Sequence, residues 1–305
     1  MPVRLEGVDL RTATFTPATS IELLNAACRV AGLDPGGARL LRHHTNAVYR
    51  LARHPVVVKI TRPGAGRDRS IRTVAVAEAL NRTAVPSVRL WPGLTQPIAA
   101  ANSYATFWKA VDVTREPAAP DLAEPLHRLH HLDQQTVPAL PELDPFAAIT
   151  SSLTRPTVLG ADDLTFLRDY ADQLAQDYVT LDFERPSRLI HGDAHHSNML
   201  VGSDGPLLAD WESVRLGPPE WDLVTVAVHC RRFEHPLGEY DEFAKRYGRD
   251  IHTWPGYRTL AAVRELRMIT TNSWKSVPGT PAAREVLKRV AALRDGDKGR
   301  RWKLL

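Results

Sequence analysis

Apolar positions along this chain follow two periods, and the dominant one changes near residue 111. Before it, short apolar runs, together rich in valine, leucine and aromatics, cover residues 38–42, 46–53, 55–61, 85–91 and 104–111. Their length, composition and bounding glycines, prolines and charges read as strands. Between them, Ile71, Val74, Ala75 and Leu80 recur at a spacing near 3.6, which predicts one helix over residues 70–83. An earlier helix is expected to open at Thr19, which has capping-box spacing to Glu22, and to close at Gly32.

Past residue 111 the helical period takes over. Leu164, Leu167, Ala171, Leu174, Tyr178 and Leu181 form the clearest apolar stripe, and further helices are predicted over 119–132, 257–274 and 282–293. The short apolar pieces 199–201 and 207–209 read as a hairpin turning at Ser203, Asp204 and Gly205. Asp222 precedes the apolar run 223–228 as an expected helix cap. A sheet followed by helices predicts an α+β chain of two lobes with a cleft between them. The small β-rich lobe is expected over residues 1–108 and the larger, mostly helical one over 109–305.

Composition narrows the class. The 305 residues are 43% hydrophobic and 24% charged, as in an ordinary globular chain. The net charge is +4, but the arginines are scattered and no run of five like charges occurs, so nucleic acid is not the expected partner. The basic stretch 298–303 reads as a solvated tail. Cys28 and Cys230 lie far apart and outside any CxxC spacing, which argues for a reducing cytoplasm and against a thiolate zinc site. The first nine residues lack the apolar core of a signal peptide, and no uncharged stretch approaches a membrane span. The expectation is a cytoplasmic protein that does not enter a membrane. Oligomeric state is not legible.

The chemistry concentrates in one segment. His191, Gly192, Asp193 and Asn198 have the H-x-D-x-x-x-x-N spacing of protein-kinase catalytic loops, and Asp210 follows 12 residues after Asn198 at the end of an apolar run. Phosphoryl transfer asks little covalent chemistry of a protein, so positioning and charge neutralisation supply the rate. Asp193 is the candidate base or hydroxyl-orienting group. Asn198 and Asp210 offer the two hard oxygens that magnesium needs when nucleotide phosphates and water complete its shell. Glu212 stands either as a ligand to a second metal or as a surface residue. The many histidines (His127, His130, His131, His191, His195 and His196) raise a zinc hydrolase as a rival. That reading leaves Lys59, Asn198 and Asp210 without a task.

Residues 191–198, with Asp210, Trp211 and Glu212 and the segment 217–222, resemble the aminoglycoside phosphotransferase and choline kinase-like branch of the protein-kinase fold. The resemblance is strong in the second lobe, looser in the first, and spans about residues 23–228. It implies a bilobal kinase-like fold, ATP or GTP as donor, magnesium, and a small hydroxylated acceptor such as an aminoglycoside, another sugar or an amino alcohol. It also implies that Lys59, in the run Val56, Val57, Val58, Lys59, meets the nucleotide phosphates, with Val57 against adenine on the same strand face. Glu78 is the expected helix partner of Lys59, although Thr73 holds the position where the acid would fall. Thr45 and Asn46 stand in for a phosphate-covering loop, and the backbone around Trp108 and Ala110 for the adenine hinge. Asp222 is implied to brace the catalytic loop.

Two departures separate the chain from protein kinases. Gly192 replaces the arginine that binds an activation-loop phosphate, and seven residues between Asp210 and Pro218 leave no room for such a loop. Both favour a small-molecule kinase. The glycine-free segment 42–49 motivates the alternative, a kinase-like nucleotide-binding or regulatory protein with little turnover. The acidic helix 162–184 is a candidate wall for a cationic acceptor, or simply a solvated face.

Overall fold

The computed structural model describes residues 15–305. The amino-terminal segment read for a signal peptide therefore lies outside the described residues. The chain divides into two compact units that are not consecutive stretches. The first holds the residues up to Glu116, then Asp133–Ala139 and Met199–Glu212; the second holds Pro117–Leu132, Leu140–Asn198 and Ser213–Leu305.

The first unit is built on an antiparallel sheet of β1 (Arg39–His43), β2 (Asn46–Arg50), β3 (Val56–Thr61), β4 (Ile98–Ala100) and β5 (Ser103–Lys109), in the order β1-β2-β3-β5-β4. Alternation decides its two faces. Val56, Val58 and Ile60 are fully buried and join Ala47, Tyr49, Ala105 and Phe107 against Leu23, Leu24, Ala27 and Cys28 of helix α1 (Pro17–Ala31). Val57 and Lys59 point to the opposite, half-open face. The α1 cap differs from expectation. Thr16 caps the helix through a reciprocal pair with Thr19, and Pro17 occupies its first turn, while Gly32 closes it at φ +66° as foreseen.

Helix α2 (Arg67–Leu80) follows β3. The run 85–91 forms only isolated bridges, Ser87 to Leu208 and Leu90 to Trp108. Pro86 lacks the N–H that a regular ladder needs. The predicted hairpin is present as β7 (Met199–Gly202) and β8 (Gly205–Leu208). It belongs to the first unit: Thr114 N–H donates to the Val201 carbonyl and Val88 N–H to the Leu208 carbonyl, both at 2.9 Å.

The second unit is helical: α3 (Ala123–His130), α4 (Pro145–Leu153), α5 (Ala161–Tyr178), α6 (Glu220–Arg232), α7 (Glu239–Tyr247), α8 (Tyr257–Lys275) and α9 (Pro281–Arg294). A short ladder of β6 (Arg188–Ile190) with β9 (Arg215–Gly217) flanks the motif. The basic carboxyl-terminal stretch is not a solvated tail. Trp302 is buried between the Arg232 and Arg289 guanidiniums, 4.9 and 4.5 Å from its ring centroid, because stacking a cation on an indole face offsets the loss of water. No helix of the described residues is long and apolar enough to cross a membrane.

Candidate active site

In the first unit, the half-open sheet face gathers Asn46 and Val48 of β2, Val57 and Lys59 of β3, and Thr106 and Trp108 of β5, paired across the ladder as Val48 with Lys59, Lys59 with Thr106, and Val57 with Trp108. The Trp108 indole N–H donates to Thr106 Oγ1 at 2.9 Å, which fixes the ring along the strand. The hairpin brings Asp210 and Glu212 to this face. Lys59 Nζ lies 2.8 Å from Asp210 Oδ1 and 2.7 Å from Glu212 Oε1, and Asn46 Nδ2 donates to the same Glu212 oxygen at 2.9 Å. Burial works against the ammonium, but the Asp210 and Glu212 carboxylates outweigh it and hold the Lys59 pKa above the ordinary lysine value. Asp210 has φ +66°, a conformation that costs a non-glycine residue free energy and is held here at the end of β8.

Two expectations for this unit need correction. Glu78 is not the partner of Lys59. It sits on the exposed side of α2 and lines a surface pocket with Arg89 and Lys109, while Thr73, a turn and a half earlier, lies on the buried side. Glu212 takes the place expected of Glu78, and neither of the readings held open for it at the sequence level, second metal ligand or surface residue, included this pairing. Within the backbone around Trp108 and Ala110 expected to form the adenine hinge, the Ala110 N–H is taken: it donates to the Pro55 carbonyl at 2.9 Å and so extends the β3–β5 ladder by one bond.

The second unit carries the catalytic-loop motif, and a buried carboxylate pins it. Asp222 is wholly buried. It accepts from the His191 N–H at 2.7 Å and the Gly192 N–H at 2.9 Å, and it meets His130 Nε2 at 3.0 Å. It is thus a brace inside the first turn of α6 rather than the cap expected of it. Trp221 adds a second pin, its indole N–H donating to the Gly192 carbonyl at 3.1 Å. The pinned loop presents Asp193. Asn198 Nδ2 donates to the Asp193 carbonyl at 2.9 Å and to its carboxylate at 3.3 Å, and it also meets His195 Nε2 at 3.1 Å.

Arg264 of α8, a residue the sequence reading missed, forms an ion pair with Asp193 Oδ1. Burial opposes ionisation of Asp193, yet Arg264 and then His195 hold its pKa well below the usual carboxylate value. A signal for Arg264 existed in the sequence. It sits three and four residues from Ala261 and Leu260, on the apolar stripe of α8, where a charge needs a buried partner. His195 stacks on His229 with centroids 4.5 Å apart, and burial, then His195 and Arg264, keep the His229 pKa well below its ordinary value.

In the first unit Asp210 and Glu212 set two carboxylates against one ammonium; in the second, Asn198, with its nitrogen engaged, keeps Oδ1 as its acceptor end; each is a hard oxygen of the kind magnesium takes. A softer triad, Cys230, His235 and Glu239, has its donor atoms within 4.8 Å of one another near the end of α6.

The sequence profile of the phosphotransferase enzyme family matches residues 37–263. Comparison with curated protein sequences finds no match. Solved structures share the fold. A microcompartment-associated aminopropanol kinase superposes with a TM-score of 0.67 at 18% identity, covering 93% of this chain and 99% of that one. A choline/ethanolamine kinase family protein from Mesorhizobium loti gives 0.64 at 18% identity over 90% and 94% of the two chains. An aminoglycoside phosphotransferase from Streptomyces rimosus, in complex with ADP and streptomycin, gives 0.56 at 19% identity over 81% and 98%.

Proposed function

The chain belongs to the phosphotransferase enzyme family, and from that premise we propose that it moves the γ-phosphate of ATP or GTP to a hydroxyl of a small molecule, with Asp193 directing the attack. The observation that carries this reading is the pinned loop: Asp222 and Trp221 fix its backbone while Arg264 keeps the Asp193 carboxylate ionised. An ionised, immobile carboxylate accepts the hydrogen bond of an incoming hydroxyl and aims its oxygen at phosphorus. The new O–P bond forms as the bond from the γ-phosphorus to its bridging oxygen breaks. The hydroxyl proton passes to Asp193, and the nucleoside diphosphate leaves.

Lys59 supplies positive charge to the nucleotide phosphates, with Asn46 beside it, and Val57 and Trp108 offer an apolar strip of sheet to the base. Asn198 and Asp210 are the residues that would hold magnesium, which supplies neutralisation of phosphate charge when bound. The nucleotide assignment draws support from the Streptomyces rimosus enzyme with ADP and from an amicoumacin kinase, TM-score 0.66 at 12% identity, in complex with AMP-PNP and Ca2+.

Calorimetry should show ATP or GTP bound only with magnesium present. Asp193→Ala should keep that affinity and lose about 10²–10⁴-fold in phosphate transfer. Absence of metal-dependent nucleotide binding rejects the proposal. Binding without turnover in the unmodified protein would instead favour the regulatory reading that the glycine-free turn before Asn46 suggests.

A further inference from the structure

The charge around Asp193 is the reverse of what a cationic acceptor needs. Arg264 and Arg267 lie one turn apart on α8, both over the Trp221 ring, with guanidinium carbons 6.0 and 5.4 Å from its centroid. Trp221 is bonded to the carbonyl of Gly192, the residue before Asp193, so both guanidiniums stand beside the acceptor-directing carboxylate. Arg264 is spent on Asp193. The Arg267 guanidinium forms no hydrogen bond or ion pair within 4.0 Å among the described residues, although it is half-buried. Burial, then the like charge of Arg264, draws its pKa down to about 10, and Arg215 of β9 adds positive charge to the same neighbourhood. Two guanidiniums, those of Arg264 and Arg267, thus stand beside one carboxylate.

The acidic helix α5 does not offset them. Asp162, Asp169 and Asp172 of α5 are exposed, Asp163 pairs with Arg294 and Glu184 with Arg249, so the acidic helix is a solvated face with local partners. Glu265, adjacent to Arg264 in sequence, is consumed by Arg231 and Arg232. A half-buried guanidinium with no counterion is a costly arrangement unless a ligand supplies the anion. Its planar fork matches a carboxylate or phosphate.

We propose that the acceptor is a hydroxylated oxyanion, carrying a carboxylate or phosphate group that Arg267 binds while Arg264 holds Asp193. This rests on the phosphotransferase reading above and narrows it. It assigns an acceptor of opposite charge to the amines in the names of the aminopropanol kinase and of the streptomycin complex.

The test uses matched probes that differ in charge: gluconate, glucose and glucosamine; glycerate, glycerol and aminopropanol; and glycerol 3-phosphate as the phosphate-bearing arm. Nucleotide consumption is followed with magnesium and either ATP or GTP. The expected result is a preference of at least about ten-fold in kcat/KM for an acid or the phosphate ester over its neutral and amine counterparts. Arg267→Gln should raise the KM for that acceptor by about ten-fold or more and collapse the preference, whereas Arg267→Lys should retain much of it. Preference for an amine or neutral member overturns the assignment, as does an unchanged preference in Arg267→Gln or the absence of any acid-dependent turnover. Magnesium-dependent nucleotide binding, measured on the same samples, separates the two failures. If it persists, only the acceptor class is wrong; if it is missing, the phosphotransferase reading falls as well.

Discussion

At Gly192 the backbone adopts φ +80°, and a Cβ there would lie 2.1 Å from the Ser213 carbonyl oxygen. The sequence showed this position only as the loss of an arginine. The structure gives the reason: the loop runs too close to Ser213 for any side chain, and the backbone sits where glycine alone is unstrained. Gly192→Ala should cost at least about 2 kcal/mol in urea unfolding and lower turnover together with stability. Wild-type stability in that variant would show that the close approach is not maintained. The same scale explains what the motif could not reveal. Asp193, Asn198 and Asp210 stood out because their spacing is local, whereas Arg264 acts 71 residues away and Glu212 reaches Lys59 from 153 residues away, beyond any windowed pattern.

Among elements, those with a clean period were legible. Helices α5, α8 and α9 and strands β2, β3 and β5 fall close to their predicted spans, since one buried face imposes its repeat on the sequence. Strand β4 is three residues long, and α7 is highly charged, with Tyr240, Phe243, Ala244 and Tyr247 buried, so neither carries a run that stands out. The carboxyl-terminal stretch misled for a related reason. Its basic residues imply solvent until the contacts of Trp302 are seen. Arg232 holds Glu265 through two nitrogens, donates to the carbonyls of Asp297 and Arg300, and stacks on Trp302. Removing that ring leaves two cations facing a void. Trp302→Ala should lose about 3–5 kcal/mol by chemical denaturation, and a loss under about 1 kcal/mol would mean that the stretch is bound only weakly.

Titration of the whole molecule should be governed on its acid side by histidines held neutral. His196 is drawn down to about 4 by burial, then by His235 and His195, and His229 lies well below its ordinary value as well. In the unfolded chain both return to about 6.5 and bind protons that the folded state refuses. Their contribution is therefore fully present above pH 6.5 and is lost as pH falls toward 4. The urea midpoint should decline across that window, before most carboxylates protonate. A flat midpoint between pH 7.5 and 5 would contradict the buried neutral state.

The path of the chain carries a lesson for anyone dissecting it. Asn198 closes one segment of the second compact unit, and Met199 opens a segment of the first. Lys59 meets its counter-charges in Asp210 and Glu212, delivered by that late segment. A gene fragment stopping near residue 116 would consequently encode a sheet with an orphan ammonium and raw hairpin-binding edges. To be studied in isolation, the first unit would have to be spliced from separated exon-like pieces rather than cut from one end.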